Sequence, residues 1–582
     1  MALTSLLRSI GLGVFLVGRL VASVECNNTT SGIDPTASDT LGRLRFAQNM
    51  TADADLVVRN AKIFTAAEGP ATHATGFAVK AGKFVAVTNN DADLDPFVGS
   101  TTQVHDLAGT AVVPGLFDTH IHHIGGGKTL LKEVKFSSTL PLDGVLAAVD
   151  AYARNLTNSS GWVTGGNWGS LLLSEISTPE ALKRLDDVSH GHPVLLSDDS
   201  HHDIWANTLA LQAAGLSTDN ATGVLIEGAA NPVFAAQAAA EPDTLEDLKS
   251  YARAAWDLLH SYGVTAIQDA AVSEPQLDAM VSLDEDNGLK GWVSSCLVMS
   301  GAGINQTGYD QHARQVGRDR VRTDFTKLVL DGVPPTQTAA FLEAYLPTKE
   351  HGCDYHGVLY NTTGELVETL RLYRSQGRGT KIHCTGDWAV QVALDAFEVM
   401  RAEGSTQTYH VAHGQFVTPE DRRRMKLLEV VAEVSPFIWY PGIIPSAIAT
   451  VLPADFASQI QPNRALLDLG VLVAGGSDWS VSAVPNPWEG IGGLVTRQDP
   501  TGLFPGTLWA EQAVSVEEAL RIFSINGAKA ARLDDVVGSI EVGKAANFIF
   551  IDRDPFSVKA TDIGNTTVLQ TYVAGEVVYS RS

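Results

Sequence analysis

The stretch PGLFDTHIHH places His120 and His122 two residues apart at the end of an apolar run. In a β-strand, residues i and i+2 share a face, so both imidazoles can reach one cation. A histidine pair alone is as often structural or superficial, so chemistry requires further ligands of suitable type. They follow in order: His383 in GTKIHCTGD, His413 in YHVAHGQ and Asp478 in VAGGSDW, each closing a short apolar run beside glycine or polar turn residues. Imidazole nitrogen and carboxylate oxygen suit zinc or another divalent first-row ion, with one coordination position open for water. Lys327 in FTKLVLDG alternates onto the face of Phe325, Val329 and Asp331. Burial there disfavours the ammonium form. A neutral amine can take up carbon dioxide as a carbamate and bridge two ions. An ion pair with an acid, or an unmodified lysine beside one ion, fits the residues as well.

Side chains so far apart in the chain need a scaffold that brings strand ends together. Eight β-type runs are expected at Ala111–Ile121, Val264–Asp269, Trp292–Val298, Phe325–Asp331, Thr380–Cys384, Tyr409–Gln415, Val430–Val434 and Val471–Gly475. Helix-like segments such as TGELVETLRLYRSQ and AVQVALDAFEVMRAEG alternate with them. That order is expected of an α/β protein built on a (β/α)8 TIM-like barrel, in which functional side chains come from the C-terminal ends of the strands. We expect the barrel over residues 114–526, with a large insertion at about 125–261 rising over the catalytic face. Short alternating strands and turns at 52–113 recur at 527–582, so both chain ends are expected to build one small β-sandwich domain.

The chain has 582 residues, of which 45% are hydrophobic and 18% charged, with a net charge of −25. This is an ordered globular composition, and its acidity argues against a nucleic-acid partner. Residues 1–23 read as a signal peptide, too short for a membrane span, and nine N-x-[ST] sequons point to a glycoprotein of the secretory pathway, secreted or luminal. The sequons lie at Asn27, Asn28, Asn49, Asn155, Asn158, Asn220, Asn305, Asn361 and Asn565. The four cysteines, Cys26, Cys296, Cys353 and Cys384, form neither a disulfide framework nor a C-x-x-C zinc site. GGGKT at 125–129 lacks the first glycine of a phosphate loop, and no G-x-S-x-G elbow is present.

The ordered set PGLFDTHIHH, FTKLVLDG, TKIHCTGD, YHVAHGQ and LVAGGSDWSVS resembles the amidohydrolase superfamily, specifically amidohydrolase family 3, over nearly the whole mature chain. SHHDIWANTLAL in the insertion and GSIEVGKAANFIFIDRDPF near the C-terminus are also similar to family motifs. The resemblance implies a metal-dependent hydrolase holding one or two divalent ions, zinc foremost. It puts His120 and His122 on the first ion, His383 and His413 on the second, and Lys327 between them as a carbamate. Asp478 is implied to bind metal and to exchange a proton with the attacking water. Ala412 stands where a glutamate is common, VPPTQTA follows Asp331 in place of a serine-glycine-rich turn, and Asn547 replaces a common aspartate.

The expected reaction is cleavage of a carbon–nitrogen bond in a small molecule: an amide, cyclic amide or N-acyl group. Deamination, ester or lactone hydrolysis, decarboxylation, and a silent secreted binding protein are the alternatives on this scaffold. His202 and Trp479 are further candidates for touching substrate, and Asp118 and Asp387 for orienting the ligands, with Asp387 equally suited to a helix N-cap. The sequence leaves a homo-oligomer open.

Overall fold

The computed structural model describes residues 53–581 apart from 70–71, 159, 300–303 and 439. The expected signal peptide, Cys26 and the sequons at Asn27, Asn28 and Asn49 lie outside the described residues.

Eight parallel strands follow one another in space in the order of the chain. They are β1 (Leu116–Ile121), β2 (Val264–Val272), β3 (Trp292–Leu297), β4 (Val321–Val329), β5 (Gly379–Cys384), β6 (Tyr409–His413), β7 (Val430–Val434) and β8 (Val473–Gly475). Helices such as Thr363–Ser375, Asp387–Ala402 and Pro419–Leu427 separate them. Strands covered on both faces should read as continuous apolar runs rather than alternating ones. β3, β5, β6 and β7 are buried at every position.

Each expected barrel run contains a strand, with one correction at the first. Ala111–Pro114 is a separate strand that pairs with Lys62–Ile63 on one side and Phe548–Ile551 on the other, in a sheet outside the barrel. Gly115 makes the break: a Cβ there would sit 2.3 Å from Thr265 Oγ1, against β2. The sheet outside the barrel holds segments from both chain ends, and Phe548 stacks on Tyr572 with ring centroids 4.3 Å apart.

β1 and β8 close the barrel through the residues that carry the site. Asp478 N–H donates to His120 O at 2.7 Å, and Ser477 N–H donates to Asp118 Oδ1 at 3.0 Å. This approach requires glycine at 476, where a Cβ would lie 2.5 Å from His120 N.

Between β1 and β2 the chain builds a four-stranded sheet from Val163–Trp168, Val194–Asp198, Asp203–Ala206 and Val224–Ile226. It has its own apolar core around Trp168, Leu196 and Trp205. Its tight connection at 199–202 reaches the barrel mouth.

Among the described residues, Cys296, Cys353 and Cys384 are free thiols, and no helix is long and apolar enough to cross a membrane. The sequon residues Asn155, Asn158, Asn220, Asn305 and Asn565 are exposed, whereas Asn361 is half-buried and lines the central cavity.

Candidate metal centre

The C-terminal ends of the barrel strands open into a cavity of about 790 Å³ whose floor holds His120, His122, Lys327, His383, His413 and Asp478. His120 and His122 share a face of the β1 end, as alternation demands. One Asp478 oxygen lies 3.5 Å from His120 Nε2 and 3.4 Å from His122 Nε2. These three residues each offer a ligand atom within 4.8 Å of the others. The second Asp478 oxygen is 3.7 Å from His413 Nδ1, which is buried and has no hydrogen-bond partner among the described residues. Lys327 Nζ approaches His120 Nε2 at 3.3 Å. His383 lies one step further out: its ring is 4.5 Å from that of His413, and its Nε2 is 3.2 Å from Gly332 O. The tight group is therefore His120, His122 and Asp478, with Lys327 and His413 against it and His383 beside His413.

Register explains this convergence. β4 and β5 pair Val329 with His383, and β5 and β6 pair Cys384 with His413, so His383 and His413 lie at neighbouring strand ends with Lys327 two residues deeper. His413 and Asp478 both have left-handed backbones, φ 68° and 57°, which turn the chain just past the strand ends.

The electrostatics favour neutral imidazoles beside an ionised carboxylate. Burial, reinforced by Lys327, holds His120 well below the ordinary histidine range. Burial likewise brings His413 down to about 4. Burial alone would raise the Asp478 carboxyl, but His120, His122 and His413 outweigh it and hold Asp478 well below the usual carboxylate range. Burial and the nearby Lys381 lower Lys327. Lone-pair nitrogens, a carboxylate and an orphaned buried Nδ1 form a donor set that fits a divalent cation.

Beneath this floor lies Glu433, a residue the sequence reading passed over. Its carboxylate accepts from Lys381 Nζ at 2.7 Å and contacts His410 Nδ1 at 2.6 Å and His120 Nδ1 at 3.0 Å. Lys381 also donates to Thr119 O. One buried acid thereby ties β1, β5, β6 and β7 together and leaves His120 Nε2 facing the cavity. The available signal was an acid inside the apolar run VVAEV, which is rarely buried without a partner.

The remaining candidates separate. Asp118 is fully buried, accepts from the backbone of His120 and Ser477, and is pushed up to about 7 by desolvation. Asp331, also pushed up to about 7 by burial, accepts from Ala340, Thr385 and Gly386 N–H and lies 3.9 Å from His383 Nε2. His202 lines the cavity, with its ring 4.9 Å from His383 and its Nδ1 3.0 Å from Glu227. Burial works against the imidazolium of His202, yet Glu227 raises its pKa on balance.

Two expectations need correcting. Trp479 is buried with its indole over Gly126, where a Cβ would meet the ring at 2.5 Å, and it is not among the residues lining the cavity. Gly386, rather than Asp387, occupies the helix N-cap position, and Asp387 accepts from Leu342 N–H at 2.9 Å. This bond anchors the loop after β4 and supplies no orienting contact to a ligand.

Known proteins bear on this geometry. The profile of the amidohydrolase family matches residues 103–579. The N-substituted formamide deformylase of Arthrobacter pascens is 26% identical over 570 residues, spanning 92% of this chain and 100% of that protein. Protein LONG AFTER FAR-RED 3 of Arabidopsis thaliana is 27% identical over 550 residues, spanning 90% of this chain and 92% of its own. Among solved structures, a metal-dependent hydrolase from Pyrococcus furiosus superposes with a TM-score of 0.67 at 23% identity, covering 86% of this chain and 100% of that one. The last likeness speaks for the fold alone.

Proposed function

Because the chain belongs to the amidohydrolase family, we propose that it hydrolyses the carbon–nitrogen bond of small, uncharged N-substituted amides, N-formyl amines foremost. The observation that carries this reading is Asp478 on the cavity floor, one oxygen toward His120 and His122 and the other toward His413. His120, His122 and Asp478 would hold a divalent cation, zinc by the chemistry of the donors, with Lys327 and His413 adjoining. A second ion would draw on His413 and His383, and a carbamate on Lys327 would stand between the two. Such a cation supplies Lewis acidity and lowers the pKa of water from about 15.7 towards 7.

The chain's own residues do the rest. Asp478, held ionised, takes a proton from the attacking water and returns it to the leaving nitrogen. Asp118 holds the backbones of His120 and Ser477 in place on either side of the closing seam. His202, backed by Glu227, hydrogen-bonds the carbonyl oxygen from the His383 side.

The substrate class follows from the walls. Val298, Val333, Pro335, Ile438, Ile444 and Val481 give an apolar surface for the N-substituent. Among the described lining residues there is no arginine, so no guanidinium fork is there to pair with a substrate carboxylate. The name of the Arthrobacter pascens relative supports the same class.

The test is metal-replete protein assayed on N-alkylformamides and on N-acyl amino acids. Turnover of the formamides with weak turnover of the acyl amino acids is the expected result. Preference for acyl amino acids, or no amide turnover, overturns the reading. We further propose passage through the secretory pathway, supported by the N-terminal segment and the exposed sequons. A glycosidase-induced mobility shift of protein from a eukaryotic host tests it, and an unshifted band counts against it.

A further inference from the structure

The turn between Val194–Asp198 and Asp203–Ala206 carries two consecutive histidines into the cavity. His202 is taken by Glu227 and lies against His383. His201 also lines the cavity, together with His122 and Asp478. Its Nε2 is buried and has no hydrogen-bond partner among the described residues. It does not join the group of ligand atoms within 4.8 Å formed by His120, His122 and Asp478.

The backbone is shaped to present this side chain. His201 sits at φ 59°, a left-handed conformation that residues with a Cβ adopt when their surroundings hold them there. Asp198 does the holding. Its carbonyl accepts from His201 N–H at 3.3 Å, and its carboxylate accepts from Ser200 Oγ at 2.5 Å and from Asp203 N–H at 3.1 Å. Ser200 Oγ in turn accepts from His202 N–H at 3.3 Å.

A buried polar atom left without a partner costs stability unless something else pairs with it. Water or substrate must do so here, because no protein atom does among the described residues. In the proposed reaction the leaving nitrogen has to come within reach of Asp478, and His201 lines the same cavity as Asp478. A neutral imidazole offers a lone pair there. We propose that His201 determines specificity by accepting the hydrogen bond of the scissile amide N–H, so that the site reads the nitrogen side of the bond as well as its carbonyl. This rests on the amide-hydrolase reading above.

The test compares N-hexylformamide with hexyl formate, which lacks the N–H, in wild type, His201→Gly and His201→Asn. Glycine suits the left-handed backbone and removes the imidazole, and asparagine tolerates that backbone and returns an acceptor oxygen. The amide-to-ester ratio of kcat/KM is expected to fall about 10- to 100-fold in His201→Gly and to recover in part in His201→Asn. Metal content and Tm, measured in parallel, identify a ratio change that comes from the fold. A ratio unchanged in His201→Gly, or a fall matched by metal loss, overturns the assignment to His201 while leaving the hydrolase reading intact. Wild type that turns over neither probe overturns the hydrolase reading, and this inference falls with it.

Discussion

On the barrel floor, Glu433 and Asp478 are each surrounded by three basic side chains and stay ionised although fully buried. In the insertion, Asp198, Asp199 and Asp203 crowd into one turn with His202 as the nearest base, and all three are driven upward. Burial and the charge of Asp198 push Asp199 up to about 7 and Asp203 up to about 8. Two buried acidic clusters thus have opposite protonation habits. The difference is one of partners: separate barrel strands deliver lysine and histidine side chains to the floor acids, whereas the hairpin acids are met mainly by backbone N–H groups and hydroxyls, those of Ser170 and Ser200 among them. The floor is thus suited to holding a cation, and the hairpin acids to neutral hydrogen bonding within the protein.

The largest expected effect removes the floor's function outright. His120→Ala and Asp478→Asn should each lower kcat/KM for an N-alkylformamide by about a thousandfold or more, with Tm near that of wild type once metal is removed from both. Activity within tenfold of wild type in either variant would place the chemistry elsewhere.

Next comes the support beneath the floor. Glu433→Gln keeps the shape but leaves Lys381 buried without its carboxylate and His120 without a fixed tautomer. Divalent metal affinity, read by competition dialysis, should weaken about 10- to 100-fold. Folding stability should drop by about 3–5 kcal/mol, as when one partner of a buried pair is removed. An unchanged metal affinity would reduce Glu433 to a packing role.

The contrast between the two regions also explains what was legible in the sequence. His120, His122, His383, His413 and Asp478 were readable because each closes an apolar run, and the barrel turns such endings into neighbours. Glu433 and Lys381 were not, since they sit inside apolar runs and find their partners only across the interior. The split of Ala111–Ile121 depended on Gly115 meeting Thr265, a contact between strands far apart in the chain. Trp479 looked like a pocket residue from its place beside Asp478. The close approach of β8 to β1 turns it onto Gly126 instead. His201 was hidden by its neighbour: two adjacent histidines in a polar loop carry no sign of which way either points.

At the rim the effects should be smaller. Glu227→Gln removes the charge that holds His202; the Glu227 carboxylate also accepts from Thr338 Oγ1 at 2.8 Å. Loss of a charge-assisted bond to a substrate-facing group should cost about tenfold in kcat/KM, with metal content unchanged. A loss of bound metal in Glu227→Gln would erase the division between rim and floor.

The smallest expected effect is also the most direct comparison of the two clusters. In the insertion, the folded state keeps protons on Asp199 and Asp203 that an unfolded chain releases near the ordinary carboxylate range. More protons are then bound in the folded state up to about pH 8, so stability there falls as pH rises. His202, raised in the folded state, adds to the same trend. On the floor the sign reverses: Glu433 and Asp478 are deprotonated where an unfolded chain would bind protons, so their contribution is full above the ordinary carboxylate range and is lost only in acid. Hydrogen exchange corrected for its intrinsic pH dependence should therefore show protection of residues 194–206 falling a few-fold between pH 5.5 and 8, while residues 430–434 hold theirs or gain, since the buried neutral histidines His120 and His410 beside Glu433 add stability as pH rises. If residues 194–206 instead gained protection over that interval, the hairpin acids would be ionised in the folded protein, and the contrast with the floor would be lost.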